Sequence, residues 1–142
     1  WNNRQAAYPG VQRLLINLDN GPEINSSRTQ FIKRLIEFSD RHRLIVELAY
    51  YPPYHSKYNP IERCWGILEN HWNGALLSSI DTALRWAKTM TWKGVAPLVH
   101  LMDGVYDKGV RISQAAFRPL AARLQRSPTL PKWSVVIQPH AE

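Results

Sequence analysis

Cysteine and acidic side chains are both scarce in this chain. A single cysteine, Cys64, occurs among its 142 residues. That excludes an internal disulfide and a cysteine-rich zinc site, and it points to a reduced, intracellular setting. Eleven Asp and Glu stand against eighteen Lys and Arg, a formal charge of +7, so the partners this composition favours are polyanions: DNA, RNA or an anionic membrane surface. No apolar run reaches the length of about 18 residues that a membrane span requires, and no charged N-terminal stretch leads into an apolar one. Neither a spanning helix nor a signal peptide is expected. Internal repeats and low-complexity tracts are also missing.

What is present is enough hydrophobic sequence, 44%, to fill a core, which excludes a disordered tail. Residues 13–19, RLLINLD, hold the nearly continuous apolar run Leu14, Leu15, Ile16 and Leu18. This predicts a strand buried on both faces of a parallel sheet. Asn20, Gly21 and Pro22 break the pattern, and Ser26 or Ser27 is placed to cap a helix over 28–42, whose apolar Phe31, Ile32, Leu35, Ile36 and Phe38 recur at helical spacing. Leu44 to Tyr50, LIVELAY, reads as a second strand. The order strand, helix, strand implies a right-handed βαβ unit and an α/β fold class.

The loop from Tyr51 to Asn59 is rich in Pro and Tyr, and Asn59-Pro60 opens a helix to about Trp72 that Asn73-Gly74 stops. Further helices are expected from Ser78 or Ser79 to Trp92, from Pro97 to Lys108 and from Ser113 to Gln125, with Trp133 to Gln138 as a final edge strand. On this reading 1–142 is a single domain: 1–74 carries the βαβ unit and a site-bearing helix, and 75–142 is helical and basic. Lys108, Arg111, Arg118, Arg123, Arg126 and Lys132 follow Asp107 with no acid before Glu142, which is either a phosphate-binding surface or a solvated helix face.

Asp19 falls at the carboxyl end of the first strand, where open α/β sheets place ligands and catalytic groups, or it closes an Asx-turn on the residues that follow. Glu62 lies in the first turn of the next helix; it is either a ligand that meets Asp19 around a hard divalent cation or the N3 member of a capping box with Asn59. Glu69, two turns on, and Asn20 are reserve candidates. His55 and Lys57 are placed to meet phosphate or an attacking water, and Tyr50, Tyr51, Tyr54 and Tyr58 offer faces for unpaired bases or simply pack the loop. Trp65, Trp72, Trp86 and Trp92 are expected to pack in the core, and Cys64 to be a small buried residue.

LINLDNGPE followed by YYPPYHSKYNPIERCWGILENHWNG resembles the catalytic core of DDE transposases, most closely the ISAzo13-type insertion-sequence group, with IS630 and Tc1/mariner elements more distant. The resemblance is strongest from Leu14 to Gly74. It implies an RNase H-like fold, metal-dependent DNA cleavage and strand transfer, Mg²⁺ or Mn²⁺ as cofactor, and DNA (transposon ends and target) as partner. The bacterial cytoplasm, in association with the nucleoid, is the implied location. It further implies that Asp19 is the second and Glu62 the third acid of a metal-binding triad. From their charge and position, His55, Lys57, Arg63, Arg111, Arg118, Arg123 and Arg126 are the candidate DNA-contacting residues.

No Asp or Glu occurs between Trp1 and Leu18, so the first acid of the triad is not in this chain. Together with the start at Trp1 rather than Met, this leads to the expectation of a C-terminal part of the catalytic domain, lacking three earlier strands and any N-terminal DNA-binding domain. An alternative is a catalytically inactive nucleic-acid-binding remnant; a related nuclease or resolvase is a third. A small sheet with open edges also makes a homodimer plausible.

Overall fold

The computed structural model describes residues 1–52 and 54–140. Pro53, within the loop of the transposase-like motif, and Glu142, the acid that ends the basic stretch, lie outside the described residues. The chain forms two compact units, Trp1–Ser56 joined by the stretch from Gly109 onward, and Lys57–Lys108.

The first unit is built on a four-stranded sheet, β1 (Arg13–Leu18), β2 (Ile45–Tyr50), β3 (Leu124–Arg126) and β4 (Ser134–Ile137), in the order β1-β2-β4-β3. β1 and β2 pair in parallel, with Arg13 opposite Ile45 and Leu18 opposite Tyr50. The helix α1 (Thr29–His42) connects them, and the predicted βαβ order is present. β4 runs antiparallel to both β2 and β3.

Alternation sets the core. Val46, Leu48 and Tyr50 of β2 and Val135 and Ile137 of β4 point to one face, where Ile32 and Ile36 of α1 cover them. Phe117 and Leu120 of the helix α4 (Gln114–Ala121) pack at the margin of that cluster. Each fully buried aliphatic side chain contributes about 1.5–3 kcal/mol.

The turn from α1 into β2 is fixed by fully buried Ser39, whose hydroxyl donates to the Leu44 carbonyl at 2.6 Å. Arg43 closes the helix in the left-handed region, φ +52°, with its N–H bonded to the Asp40 and Ser39 carbonyls. α1 starts without a side-chain cap. The two serines expected to cap it serve the preceding loop instead: Ser26 donates to the Lys132 carbonyl at 3.0 Å, and Ser27 donates to the Asn25 side chain.

Two strand expectations are corrected. β1 is an edge strand covered on one face only, with Leu14, Ile16 and Leu18 half-buried and Leu15 53% exposed. A nearly continuous apolar run suggests burial on both faces, but the alternate residues Arg13, Leu15 and Asn17 are exposed. The final strand is central rather than an edge, because Leu124–Arg126 leaves the expected helix and pairs outside it. Pro119 accounts for part of this change: α4 ends at Ala121, two residues past it, since proline in a helix interior removes a hydrogen bond and clashes with the preceding turn.

The second unit holds α2 (Pro60–Trp72) and α3 (Ile80–Thr89), packed on each other, with Leu68 and Met90 buried. Asn59 caps α2 by accepting from the Ile61 N–H at 3.4 Å, and Ser79 caps α3 by accepting from the Thr82 N–H at 3.2 Å. Gly74 follows α2 at φ +80°, a conformation that favours glycine and halts the helix. α3 ends at Thr89 rather than Trp92, and a tight turn takes over: Trp92 and Val95 exchange two backbone hydrogen bonds across Lys93 and Gly94, both at positive φ.

The helix expected over 97–108 is not formed; that stretch has no regular structure, and Leu98, Leu101, Met102, Val105 and Tyr106 are exposed. Helical spacing of apolar residues stabilises a helix only where the stripe has something to cover. For the same reason Trp65 and Trp86 are exposed rather than core, while Trp72, Trp92 and Cys64 are half-buried. No helix among the described residues is long and apolar enough to cross a membrane.

Candidate functional site

Asp19 is the first residue beyond β1, and it is exposed. Among the described residues its carboxylate makes no hydrogen bond or ion pair, so the Asx-turn is not formed. One oxygen instead lies over Gly21, where an added Cβ would stand 3.4 Å away. Asn20 beside it is also exposed.

The strand end that carries Asp19 is held in place by its neighbour. The Leu18 carbonyl accepts from the Tyr51 N–H at 2.8 Å, just past the parallel pair Leu18 and Tyr50. Beyond Asp19 the chain turns on itself, with the Gly21 carbonyl accepting from the N–H groups of Ile24 and Asn25.

Glu62 occupies the first turn of α2 and is exposed. Its backbone N–H bonds to the Asn59 carbonyl at 3.0 Å, while its carboxylate has no partner among the described residues. Asn59 therefore caps the helix alone and the reciprocal half of a capping box is not made, which leaves both Glu62 oxygens open. An anionic side chain in the first helical turn interacts favourably with the helix dipole. Glu69, two turns on, is exposed and lines a shallow groove with Asn70, Trp72 and Asn73. Lys57 sits 5.2 Å from the centre of the Tyr58 ring. His55 and Tyr54 are exposed, Tyr54 almost wholly so.

The arginines separate into two groups. Arg63, Arg111 and Arg118 are exposed, and among the described residues their side chains have no hydrogen-bond or ion-pair partner. Arg123 and Arg126 are committed inside the first unit. Arg123 grips the Asp40 carboxylate with both arms, one bond being 2.8 Å, and also donates to the Gln138 carbonyl at 2.9 Å. The Arg123 guanidinium bonded to Asp40 holds that carboxyl below its usual range against the opposing effect of burial, and the His140 N–H, donating at 2.8 Å, adds to this. Arg126 donates to the Ser26 carbonyl at 2.6 Å, the Ser26 hydroxyl at 3.1 Å and the Pro131 carbonyl at 2.8 Å. These two residues were read from charge as DNA contacts; in the structure their donors are spent on the protein.

Two participants were not visible in the sequence. Asp40 is 83 residues from Arg123, with nothing in its local pattern to mark it. Tyr50, read as a stacking candidate, is buried and donates its hydroxyl to the Ile24 carbonyl at 2.8 Å. Burial pushes its phenol up to about 12, against the opposing effect of nearby Arg126. An alternating strand that ends in Tyr on its buried face is the one signal that could have found it.

The model of the family described as Rhodopirellula transposase DDE domain matches residues 1–139. No curated protein matches the chain, and no solved structure matches it. The matched span contains both exposed carboxylates, the strand end that carries Asp19 and the capped helix that carries Glu62. Such domains generally use divalent metals and act on DNA, which gives the chain a transposition-related function. The chain thus belongs to the family of Rhodopirellula transposase DDE domains.

Proposed function

We propose that this chain is the catalytic-domain part of a transposase that cleaves DNA and transfers the strand in a metal-dependent reaction, on an RNase H-like sheet. Asp19 and Glu62 are its second and third acids. The observation that carries this reading is the family match over 1–139, combined with two ionisable carboxylates at the motif positions whose oxygens are exposed and unbonded among the described residues. Other carboxylates of the first unit, such as Glu47 on Arg13 and Asp40 on Arg123, are consumed by ion pairs.

Carboxylate oxygens are the donors that Mg²⁺ and Mn²⁺ prefer, and Asn20 and Glu69 supply further oxygens nearby in sequence. A divalent cation bound there supplies Lewis-acid activation of water or a DNA 3′-hydroxyl for in-line attack on a phosphodiester. The chain's own contribution is to leave the two carboxylates exposed and, among the described residues, unengaged. It also presents Lys57, Arg63, Arg111 and Arg118, with His55, to phosphate oxygens. The same reading locates the protein in the bacterial cytoplasm, associated with the nucleoid, and leaves the outer edge of β1 open for a homodimer.

In the full-length protein, Asp19→Ala and Glu62→Ala are expected to abolish Mg²⁺-dependent strand cleavage and leave DNA affinity unchanged in a binding assay; normal cleavage by both variants overturns the assignment. A second reading, nucleic-acid binding without catalysis, is favoured by one observation: among the described residues no group of three or more His, Cys, Asp or Glu assembles that could hold a metal. It predicts salt-sensitive DNA binding that is indifferent to Mg²⁺, with no cleavage by the full-length protein.

A further inference from the structure

The Asp19 carboxylate makes no bond of its own, so its direction is set by the backbone between Leu18 and α1. That loop has no regular structure, yet it is held from outside at several points. At its start, the Leu18 carbonyl is bound by the Tyr51 N–H. In its middle, the Ile24 carbonyl accepts from the Tyr50 hydroxyl at 2.8 Å. Near its end, the Ser26 carbonyl and hydroxyl both accept from Arg126, and the Ser26 hydroxyl donates in turn to the Lys132 carbonyl.

Tyr50 is the register partner of Leu18, the residue immediately before Asp19. Arg126 reaches the same loop from the end of β3 and lies close enough to Tyr50 to act on its phenol electrostatically. Two donors from two different strands therefore converge on consecutive parts of one loop.

We propose that Tyr50 and Arg126 are positioning residues for the Asp19 carboxylate, clamping the Ile24–Ser26 segment so that the carboxylate is presented in one orientation to a divalent cation. This rests on the reading of Asp19 as a metal ligand. The physical reason is preorganisation: a ligand whose support is fixed in advance loses less freedom when it binds, and residues that orient ligands are worth about 10–100-fold in metal affinity. It also gives a reason why an exposed arginine of a basic chain directs donors to a loop of its own protein.

The test is a Mn²⁺ titration of the isotope-labelled chain, followed by paramagnetic broadening of the Asp19, Asn20 and Gly21 amide signals. The parent chain is expected to broaden selectively there and Asp19→Asn not at all; uniform or absent broadening in the parent overturns the metal reading and the proposal with it. Tyr50→Phe, which keeps the ring and removes only the hydroxyl, and Arg126→Gln are each expected to need about tenfold more Mn²⁺ for half-broadening. Their Val46, Leu48 and Val135 shifts should stay those of the parent, and amide exchange at Ile24–Ser26 should be faster. Should Arg126→Gln fail to fold, Tyr50→Phe alone carries the test. A folded Tyr50→Phe with the parent midpoint, beside an Asp19→Asn that has lost broadening, overturns the clamp and leaves the metal reading standing.

Discussion

The two units use hydrophobic sequence differently. In the first, apolar side chains alternate along paired strands and meet under α1, so Ile32, Val46, Leu48, Val135 and Ile137 are wholly removed from water. In the second, Leu68 and Met90 are the buried apolar residues among those described, while Val95, Leu98, Leu101, Met102, Val105 and Tyr106 stand in solvent. Similar composition thus yields a core in one region and an exposed apolar stretch in the other. What differs is long-range pairing: a strand has fixed neighbours that a helical stripe without a partner lacks. The carboxylate of each unit follows that pattern, Asp19 standing on a loop clamped by distant residues and Glu62 on a helix positioned by its own cap.

The largest effect that sharpens this contrast is truncation of the sheet core. Leu48→Ala, at a wholly buried position, is expected to destabilise the first unit by about 2–5 kcal/mol, read by urea unfolding. A cost below about 0.5 kcal/mol would break the comparison, since that is the scale of ordinary surface changes.

Second is acid sensitivity. Asp40 titrates below its usual value in the folded chain, so its pairing stabilises above the unfolded carboxylate value and is lost as pH falls through the lower folded one. Asp40→Asn should flatten the decline in melting temperature on acidification. The alkaline limb has the opposite sense: Tyr50, raised to about 12, favours the folded state below about 10, and that contribution is lost as pH rises from there towards 12. Tyr50→Phe should remove this limb, and an unchanged alkaline profile would contradict the burial of its hydroxyl.

Third, limited trypsin digestion should cut after Lys93 and Lys108, in stretches without regular helix or strand, before it cuts after Arg123 or Arg126; mass spectrometry of early fragments reads the order. The smallest effect is expected at Val105→Ser. The side chain is fully exposed, and unfolding free energy should stay within about 0.5 kcal/mol of the parent; a larger loss would show that the stretch is covered after all.

How much was legible follows the range of the interactions involved. β1, α1, β2 and α2 came within a residue or two of their expected bounds, because each has a strong local pattern and clear breakers at Gly21, Asn59 and Gly74. β3 was missed, since Leu124–Arg126 takes its conformation from pairing with Val135 and Ile137 rather than from its own three residues. The helix over 97–108 was misplaced because helical spacing alone does not supply a surface to pack on. Asp19 and Glu62 were marked as candidates by their strand-end and helix-start positions and by the family resemblance, and both are exposed in the structure. The roles of Arg123 and Arg126 were not, because charge reveals neither which carboxylate nor which carbonyl lies within reach.

By itself, then, the sequence determined the βαβ order, the basic balance, the two candidate carboxylates and the family, all of which depend on local periodicity and motif spacing. Only the tertiary structure decided that the last strand is central, that β1 is an edge with one open face, and which arginines remain available to DNA. Those outcomes rest on pairings across some 80 to 100 residues, such as Arg123 with Asp40 and Arg126 with Ser26. Such contacts form only when the strands have been ordered beside one another, and that ordering is a property of the folded sheet as a whole.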